Sequence, residues 1–222
     1  MTAPTPRGNT AGAAAVVAPR AGYGTGQTGG SRAQRDRRER MQEAATMLAT
    51  QGGYDAVTMR AVAENADVAL GTLYRYFPSK NHLLVSSLVS EFARAQVELD
   101  RIEIPGDGPT ERMLFVLARV TRMFQRYPSY TEAMTRAFIF ADDTAKDEVD
   151  SVARQMERMF AGAMDPDGEI TEENVAIARV LGDVWLANLV SWVTQRISAE
   201  GVAERLELTV HLLLDHTVPA GR

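Results

Sequence analysis

The 222-residue chain contains no cysteine and only three histidines, His82, His211 and His216. The absence of cysteine excludes disulfide bonds, thiolate nucleophiles and sulfur-ligated metal sites, and it fits a reducing compartment. The sequence has no G-x-S-x-G or H-E-x-x-H motif, and the last two histidines are five residues apart, a spacing that does not place two metal ligands on one helical face. We therefore expect a protein that is not an enzyme and that uses no metal or cofactor.

Long apolar runs are also missing. No uninterrupted run approaches the ~18 residues that a membrane-spanning helix requires, and the weakly apolar stretch 11–18 is mostly alanine. Such a stretch does not have the composition of a cleaved signal peptide. The sequence predicts a cytoplasmic protein with no membrane partner.

The net charge of −5 is unevenly distributed along the chain. Residues 1–80 contain ten Lys and Arg against six Asp and Glu, a balance of +4, whereas the remainder has fourteen against twenty-three, a balance of −9. Segments of opposite charge predict different partners. The first part would be attracted to a polyanion such as DNA, and the second part would be repelled by it.

Hydrophobic periodicity divides the chain into a tail and a series of helices. Residues 1–30 are rich in Gly, Ala, Pro and Thr, which predicts a disordered tail. Gly24, Gly26 and Gly29 in this tail match G-x-G-x-x-G, but no βαβ pattern follows, which argues against a dinucleotide site. From a predicted cap at Ser31 onward, apolar residues recur at helical spacing and no segment alternates like a strand. The predicted helices run over 31–51, 59–65, 70–77, 79–105, 110–126, 129–140, 144–162, 171–197 and 202–217, so the fold class is all-α with about nine helices.

Two short helices joined by a tight turn, between Thr58 and Phe77, are typical of a DNA-binding helix-turn-helix. In the second helix, Leu73 and Phe77 are four residues apart and are expected to point into a three-helix core. The residues left on the outer face are Gly71, Thr72, Tyr74, Arg75 and Tyr76. This spacing also fits a purely structural three-helix unit with packed tyrosines, so it leaves both interpretations open.

The outer face has the chemistry that a DNA contact requires. Gly71 would let the backbone approach DNA closely, and Thr72 could reach a base edge or a thymine methyl group. The tyrosine hydroxyls and Lys80 could hold phosphates. Thr58, at the start of the first short helix, could cap it and present backbone amides to a phosphate.

The sequence T-M-R-A-V-A at 58–63, followed by G-T-L-Y-R-Y-F-P-S-K at 71–80, resembles the TetR-family signature T-x-R-x-[IV]-A…G-T-[LIF]-Y-x-[YH]-F-x-[SN]-K. The resemblance implies that the second short helix enters the major groove. The predicted DNA-binding residues are Thr58, Arg60, Gly71, Thr72, Tyr74, Tyr76 and Lys80. Two positions depart from the family pattern, because Asp67 stands where the turn usually has glycine and Ala69 where the helix usually has a Ser or Thr cap. Aspartate tolerates the left-handed conformation, and a missing cap costs about 1 kcal/mol, so we expect the motif to form.

The last two long helices are apolar on more than one side. Ile177, Leu181 and Trp185 follow one stripe of the first, and the second has a leucine-rich end at 206–214. These surfaces predict a homodimer through a symmetric four-helix interface. A thick core within a single chain is the alternative.

Methionine and phenylalanine are abundant between the fourth helix and the last two. For any one of them packing is the more frequent role, but as a set they suit a deformable apolar cavity with a few polar groups. The predicted ligand-binding residues are Met113, Leu117, Met123, Phe124, Met134, Phe138, Trp185, Asn188 and Trp192. The stretches 31–40 and 127–134 further resemble actinobacterial repressors of sterol catabolism within the TetR family. This resemblance implies that the effector is a CoA thioester of a sterol side-chain metabolite.

The sequence therefore predicts a dimeric transcriptional repressor that binds palindromic double-stranded operator DNA and is released by a small apolar effector. Its expected domains are the tail at 1–30, a helix-turn-helix DNA-binding domain at 31–80, and a ligand-binding and dimerisation domain at 81–222. The alternatives are a DNA-binding activator or nucleoid protein, a regulator with a different ligand, and a helical small-molecule carrier.

Overall fold

The computed structural model describes residues 32–166 and 168–215, and within these two ranges the chain forms nine α-helices, one 3-10 turn and no β-strand. The helices are α1 (Arg32–Ala56), α2 (Met59–Asn65), α3 (Leu70–Tyr76), α4 (Lys80–Leu99), α5 (Pro109–Gln125), α6 (Pro128–Ile139), α7 (Lys146–Met164), α8 (Glu172–Val193) and α9 (Ala199–Leu214). The all-α prediction is confirmed. The predicted tail at 1–30 with its three glycines, the predicted cap Ser31, and His216 lie outside the described residues.

Several helices begin where the sequence predicts a cap. The hydroxyl of Thr58 accepts a hydrogen bond from the backbone N–H of Ala61 at 3.2 Å, and that of Ser79 accepts one from His82 at 3.1 Å. α5 begins with Pro109, which has no N–H and therefore loses nothing at a helix start. These caps satisfy backbone donors that the first turn of each helix leaves without an intrahelical partner.

A glycine pair ends the regular part of α1, as the sequence predicts. At Gly53 the backbone has φ 68° and ψ −162°, a conformation that residues other than glycine avoid. A β-carbon there would lie 3.1 Å from the Glu132 carboxylate, whose oxygen accepts a 3.0 Å hydrogen bond from the Tyr54 N–H. Gly53 is therefore required by both its conformation and the close approach of α6.

Several helix boundaries differ from the predicted ones by two residues or more. α4 ends at Leu99 instead of reaching the break at 105; the N–H of Asp100 makes the last bond, to the Gln96 carbonyl, and the N–H of Ile102 then donates to the Leu99 carbonyl in a tighter turn. α8 ends at Val193 instead of 197, where Gln195 adopts a left-handed φ of 59°. α7 begins two residues late, after a 3-10 turn at 143–145, and α9 begins three residues early.

We call α1–α3 the head and α4–α9 the body. α1 packs against α4 and α6, and α4 also contacts α6 and α7, while α8 lies between α7 and α9. A continuous apolar core runs from Met41 in α1 through Leu84 and Phe92 in α4 to Phe160 and Leu189. α4 therefore contacts both the head and the rest of the body, and it begins four residues after the last residue of α3.

Candidate nucleic-acid interface and effector cavity

The turn between α2 and α3 forms despite both departures from the usual pattern. Asp67 has a φ of 52°, so it adopts the predicted left-handed conformation. The N–H of Val68 donates to the carbonyl of Ala63 at 3.0 Å and closes the turn. Ala69 begins α3 without a side-chain hydrogen bond. The head therefore contains a helix-turn-helix with an uncapped second helix.

α3 separates its inward and outward residues as predicted. Leu73 and Phe77 are fully buried. Gly71 and Tyr74 are exposed, Tyr74 by 48% of its surface, while Thr72 and Tyr76 are half-buried. A β-carbon added to Gly71 would have no heavy atom within 4 Å. The folded chain therefore does not need glycine at this position. The space in front of Gly71 is open to another molecule.

Arg60 is exposed near the start of α2, whereas Lys80 makes contacts within the chain. The Lys80 ammonium donates to the Tyr54 carbonyl at 3.1 Å and lies 3.6 Å from the centre of the Tyr54 ring. Partial burial lowers the pKa of the Lys80 amine and raises the pKa of the Tyr54 phenol. Through these contacts Lys80 connects the start of α4 to the end of α1. Its role as a phosphate contact stays a prediction.

Tyr54 is an organising residue of this region that sequence reasoning missed. Its hydroxyl donates to the Asn81 side-chain oxygen at 2.6 Å, and the Asn81 amide donates to the Phe140 carbonyl at 2.6 Å. The Arg136 guanidinium lies 4.3 Å from the centre of its ring. These partners are 27 and 82 residues away along the chain, so no local pattern could have identified them.

The body contains an apolar cavity of about 100 Å³ bounded by α4, α5, α6, α7 and α8. Its lining includes Phe124, Met134, Phe138 and Trp185, four of the nine predicted ligand-binding residues. Leu88 and Phe92 from α4, together with Met156 from α7, also line it. Met156 belongs to the methionine and phenylalanine set from which the cavity was predicted, whereas the contribution of α4 was not predicted from the sequence.

The other five predicted ligand-binding residues lie outside this cavity. Met113 and Leu117 are buried in the core, and Met123 and Trp192 are half-buried. Asn188 is buried, and its amide donates to the Val184 carbonyl at 2.8 Å. Ligand contact by these five residues stays a prediction.

Three aromatic rings form one wall of the cavity. Phe124 is 5.8 Å from Phe92 and 5.1 Å from Trp185 between ring centres, and its contact with Trp185 is edge to face. The indole N–H of Trp185 donates to the Thr121 hydroxyl at 3.0 Å. Because both partners are buried, this hydrogen bond fixes the orientation of the indole in the wall of the cavity.

Charged side chains of α7 and α8 also border the cavity. The Arg179 guanidinium donates to the Glu157 carboxylate at 2.8 Å, and Asp183 lies one turn further along α8. The hydrogen bond and the charge of Glu157 raise the pKa of Arg179. The cavity thus combines an apolar interior with a charged edge.

The last two helices present apolar side chains on both faces. Leu181 of α8 and Leu206 of α9 are buried, while Leu208 and Leu212 of α9 are 60% and 57% exposed and Val180 of α8 is 46% exposed. Among the described helices, α8 is long and apolar enough by composition to cross a membrane, although little of it is buried. A soluble helix that packs against other helices on two sides is equally apolar, so this composition alone does not indicate a membrane span.

Comparison with known proteins identifies both parts of the chain. The family model for bacterial regulatory proteins of the tetR family matches residues 43–86, and that for the tetracyclin repressor-like C-terminal domain matches residues 106–213. The transcriptional repressor KstR of Rhodococcus jostii is 59% identical over 184 residues, covering 83% of this chain and 85% of that protein. KstR of Mycobacterium tuberculosis is 54% identical over 185 residues, covering 83% and 84%.

Solved structures show the same fold. A TetR transcriptional regulator from a Rhodococcus species has a TM-score of 0.73 and 33% identity, covering 81% of this chain and 96% of that chain. FadR of Thermus thermophilus, a TetR-family repressor solved with lauroyl-CoA, has a TM-score of 0.65 and 21% identity, covering 83% and 97%.

The chain belongs to the TetR family of transcriptional regulators. Within that family it is a KstR-like repressor, a DNA-binding protein and not an enzyme. The carrier alternative is thereby excluded.

Proposed function

We propose that this repressor binds a palindromic operator as a homodimer in the cytoplasm and is released when an apolar CoA thioester enters the body. We call α3 the reading helix, because we expect it to contact the bases of the operator. The observation that carries the proposal is the aromatic-lined cavity bounded by α4, because α4 begins shortly after the reading helix. One helix thus adjoins both the ligand site and the DNA-binding site. We propose a DNA-binding domain at 31–80, a ligand-binding and dimerisation domain at 81–222, and DNA contacts at the seven head positions named above.

The dimer surface that we propose is the outer face of α8 and α9. The exposed fractions of Val180, Leu208 and Leu212 leave apolar area in water that a second copy would cover. Two copies related by a twofold axis would present two α3 helices to one face of DNA. A palindrome with half-sites about one helical turn apart, ~34–36 Å, would accept them.

The ligand class follows from the shape and chemistry of the cavity. Its lining suits an aliphatic or polycyclic group, and Arg179 at its edge suits a phosphate-bearing one once it exchanges its hydrogen bond to Glu157. A CoA thioester combines the two. FadR of Thermus thermophilus and FadR of Bacillus subtilis, which have the same fold, were solved with lauroyl-CoA and stearoyl-CoA. The resemblance to repressors of sterol catabolism narrows our proposal to a sterol-derived acyl-CoA, with genes of sterol breakdown as the regulated set.

Release from DNA requires that the ligand bind more tightly to a conformation of the dimer in which the distance between the two heads does not match the operator. The cavity of about 100 Å³ is smaller than the ~300–1,000 Å³ typical of sites for drug-sized ligands, so its walls must move apart to admit a large ligand. Movement of α4, α6 or α7 would change the separation of the two heads. Operator affinity then falls by the ratio of ligand affinities for the two states.

A fluorescence-anisotropy titration on a palindromic operator from near the gene, with and without a sterol-derived CoA thioester, tests the proposal. We expect salt-sensitive, sequence-selective binding that the thioester weakens. Selective binding that no apolar thioester affects would refute the ligand assignment, and the absence of selective binding would refute the operator assignment. Analytical ultracentrifugation tests the dimer.

A matched pair of variants at one cavity position tests whether the cavity is the ligand site. A β-carbon at Gly182 would lie 3.4 Å from the end of the Met156 side chain, an ordinary contact. Gly182→Ala should therefore respond to the thioester like the wild type. Gly182→Leu should fill the cavity, keep operator binding and lose the response; a full response in Gly182→Leu would place the ligand elsewhere.

A further inference from the structure

A polar cluster joins the head to α7 where α1, α4 and α7 meet. The Arg38 guanidinium donates to the Ser86 hydroxyl at 3.0 Å, and that hydroxyl donates to Glu148 Oε1 at 3.4 Å. The same carboxylate oxygen lies 3.2 Å from Nε2 of His82 and 3.9 Å from the Arg38 guanidinium. One oxygen atom of α7 therefore contacts side chains of both α1 and α4.

The cluster reaches the reading helix through Phe77. The Arg38 guanidinium lies 4.8 Å from the centre of the Phe77 ring, and the His82 ring lies 5.7 Å from it. Phe77 directly follows α3 and is fully buried. His82 is only 8% exposed, so its ring cannot move without displacing its neighbours. The Glu148 carboxylate is thus connected to the end of α3 through two successive contacts, first with Arg38 or His82 and then from either of them with Phe77.

Glu148 is also rigidly connected to the cavity. It lies in the first turn of α7, and Val152 and Met156, one and two turns further on, line the cavity. At a rise of about 1.5 Å per residue these positions are ~6 and ~12 Å from Glu148 along the helix axis. A ligand that pushes α7 outward therefore moves the Glu148 carboxylate with it.

We propose that Glu148 is the positioning residue through which the state of the cavity reaches the reading helix. With the cavity empty, its carboxylate holds His82, Ser86 and Arg38 in place and fixes the head on the body. When α7 moves, the contacts of the Glu148 carboxylate break, and Arg38 and His82 no longer fix the position of the Phe77 ring. The proposal rests on the effector-controlled release proposed above, and it names the residue that transmits it.

The test uses distances measured by pulsed electron paramagnetic resonance within the full chain. Because the protein has no cysteine, Glu64→Cys on the exposed face of α2 and Ala118→Cys on the exposed face of α5 can be spin-labelled uniquely. Labelled chains are diluted with unlabelled protein so that only distances within one chain are recorded. Glu148→Ala should broaden the head-to-body distance distribution without ligand. Asp147→Ala, which removes an exposed acid on the same turn, should leave it unchanged, and Glu148→Gln, whose amide oxygen can accept from His82 and Ser86, should largely restore it.

The same variants are then titrated on the operator. The ratio of operator Kd with and without the CoA thioester is typically about 5- to 150-fold for allosteric coupling. This ratio should fall at least about threefold in Glu148→Ala and should not fall in Asp147→Ala. An unchanged distance distribution in Glu148→Ala would overturn the proposal whether or not any thioester acts. If the wild type ignores every thioester while the distribution broadens in Glu148→Ala, the effector assignment fails and the positioning role of Glu148 stands.

Discussion

Gly71 offers a way to separate the stability of the reading helix from its function. A β-carbon at this position meets no heavy atom within 4 Å, and α3 is helical there. Replacement by alanine should therefore stabilise the fold, by up to about 0.5–1 kcal/mol, because glycine is a poor helix former. The same methyl group would stand between the helix backbone and the DNA, since Gly71 is on the outer face beside Thr72 and Tyr74. If the helix must withdraw and lose one base contact, worth ~1–3 kcal/mol, operator affinity should fall roughly 5- to 150-fold.

The assay combines urea denaturation with anisotropy on the operator at fixed salt. Gly162→Ala in α7 is a matched control, because a β-carbon there also meets nothing within 4 Å and the site lies in the body. Both variants should be at least as stable as the wild type, and only Gly71→Ala should lose operator affinity. A Gly71→Ala protein that is stable and binds the operator like the wild type would show that the α3 backbone does not approach DNA closely.

Further predictions concern the cavity wall, the dimer, the turn and the phosphate contacts. Thr121→Val should cost about 1–3 kcal/mol in the free energy of unfolding, because it leaves the buried Trp185 N–H without a partner; Thr121→Ser, which keeps the hydroxyl, should cost less, and the reverse order in denaturation curves would mean that the indole has another acceptor. Leu212→Arg, at an exposed position of α9, should shift the protein toward monomer in sedimentation experiments and weaken operator binding without lowering the stability of the single chain. Asp67→Gly should keep or raise stability by up to about 1 kcal/mol and Asp67→Ala should lower it, because φ is positive there; equal stabilities would contradict this reasoning. Arg60→Ala should weaken binding on all DNA sequences alike and reduce the salt-dependence slope by about 1, whereas a sequence-dependent loss would point to a base contact.

The elements that could be predicted are those whose causes are local. The Thr58 and Ser79 caps, the end of α1 at the Gly52-Gly53 pair and the left-handed turn at Asp67 each depend on a few adjacent residues, and each is present in the structure. Helical spacing also placed Leu73 and Phe77 in the core correctly. The all-α class follows from such signals, whereas the family follows from the resemblance of 58–63 and 71–80 to its signature.

The cavity could be predicted only in part, because spacing gives the face of a helix and not its neighbours. Met113, Leu117 and Phe124 all lie on the buried face of α5, yet only Phe124 lines the cavity. Which residue reaches the site depends on where α5 crosses α6 and α8 along its length. Phe92 was missed for the same reason, since α4 looked like an ordinary core helix, whereas Met156 belongs to the methionine and phenylalanine set that predicted the cavity.

The junction between head and body lies beyond sequence reasoning, and its arrangement indicates how the head can move. Tyr54 ties the start of α4 to α6, and Glu148 ties the next turn of α4 to α7, through pairs 27 to 110 residues apart along the chain. The Tyr54 cluster consists of polar contacts at partly exposed positions, and the Glu148 cluster joins the partly exposed Arg38 and Glu148 to the buried His82 and Ser86. The apolar core passes beneath both clusters without interruption. Partly exposed polar contacts can be exchanged for contacts with water at little net cost, of order 1 kcal/mol each, but opening the core would cost several times more. Because α6 and α7 both line the cavity, a ligand that displaces either helix acts on the first two turns of α4. The head can therefore change its orientation by rearranging these two clusters while the fold remains closed.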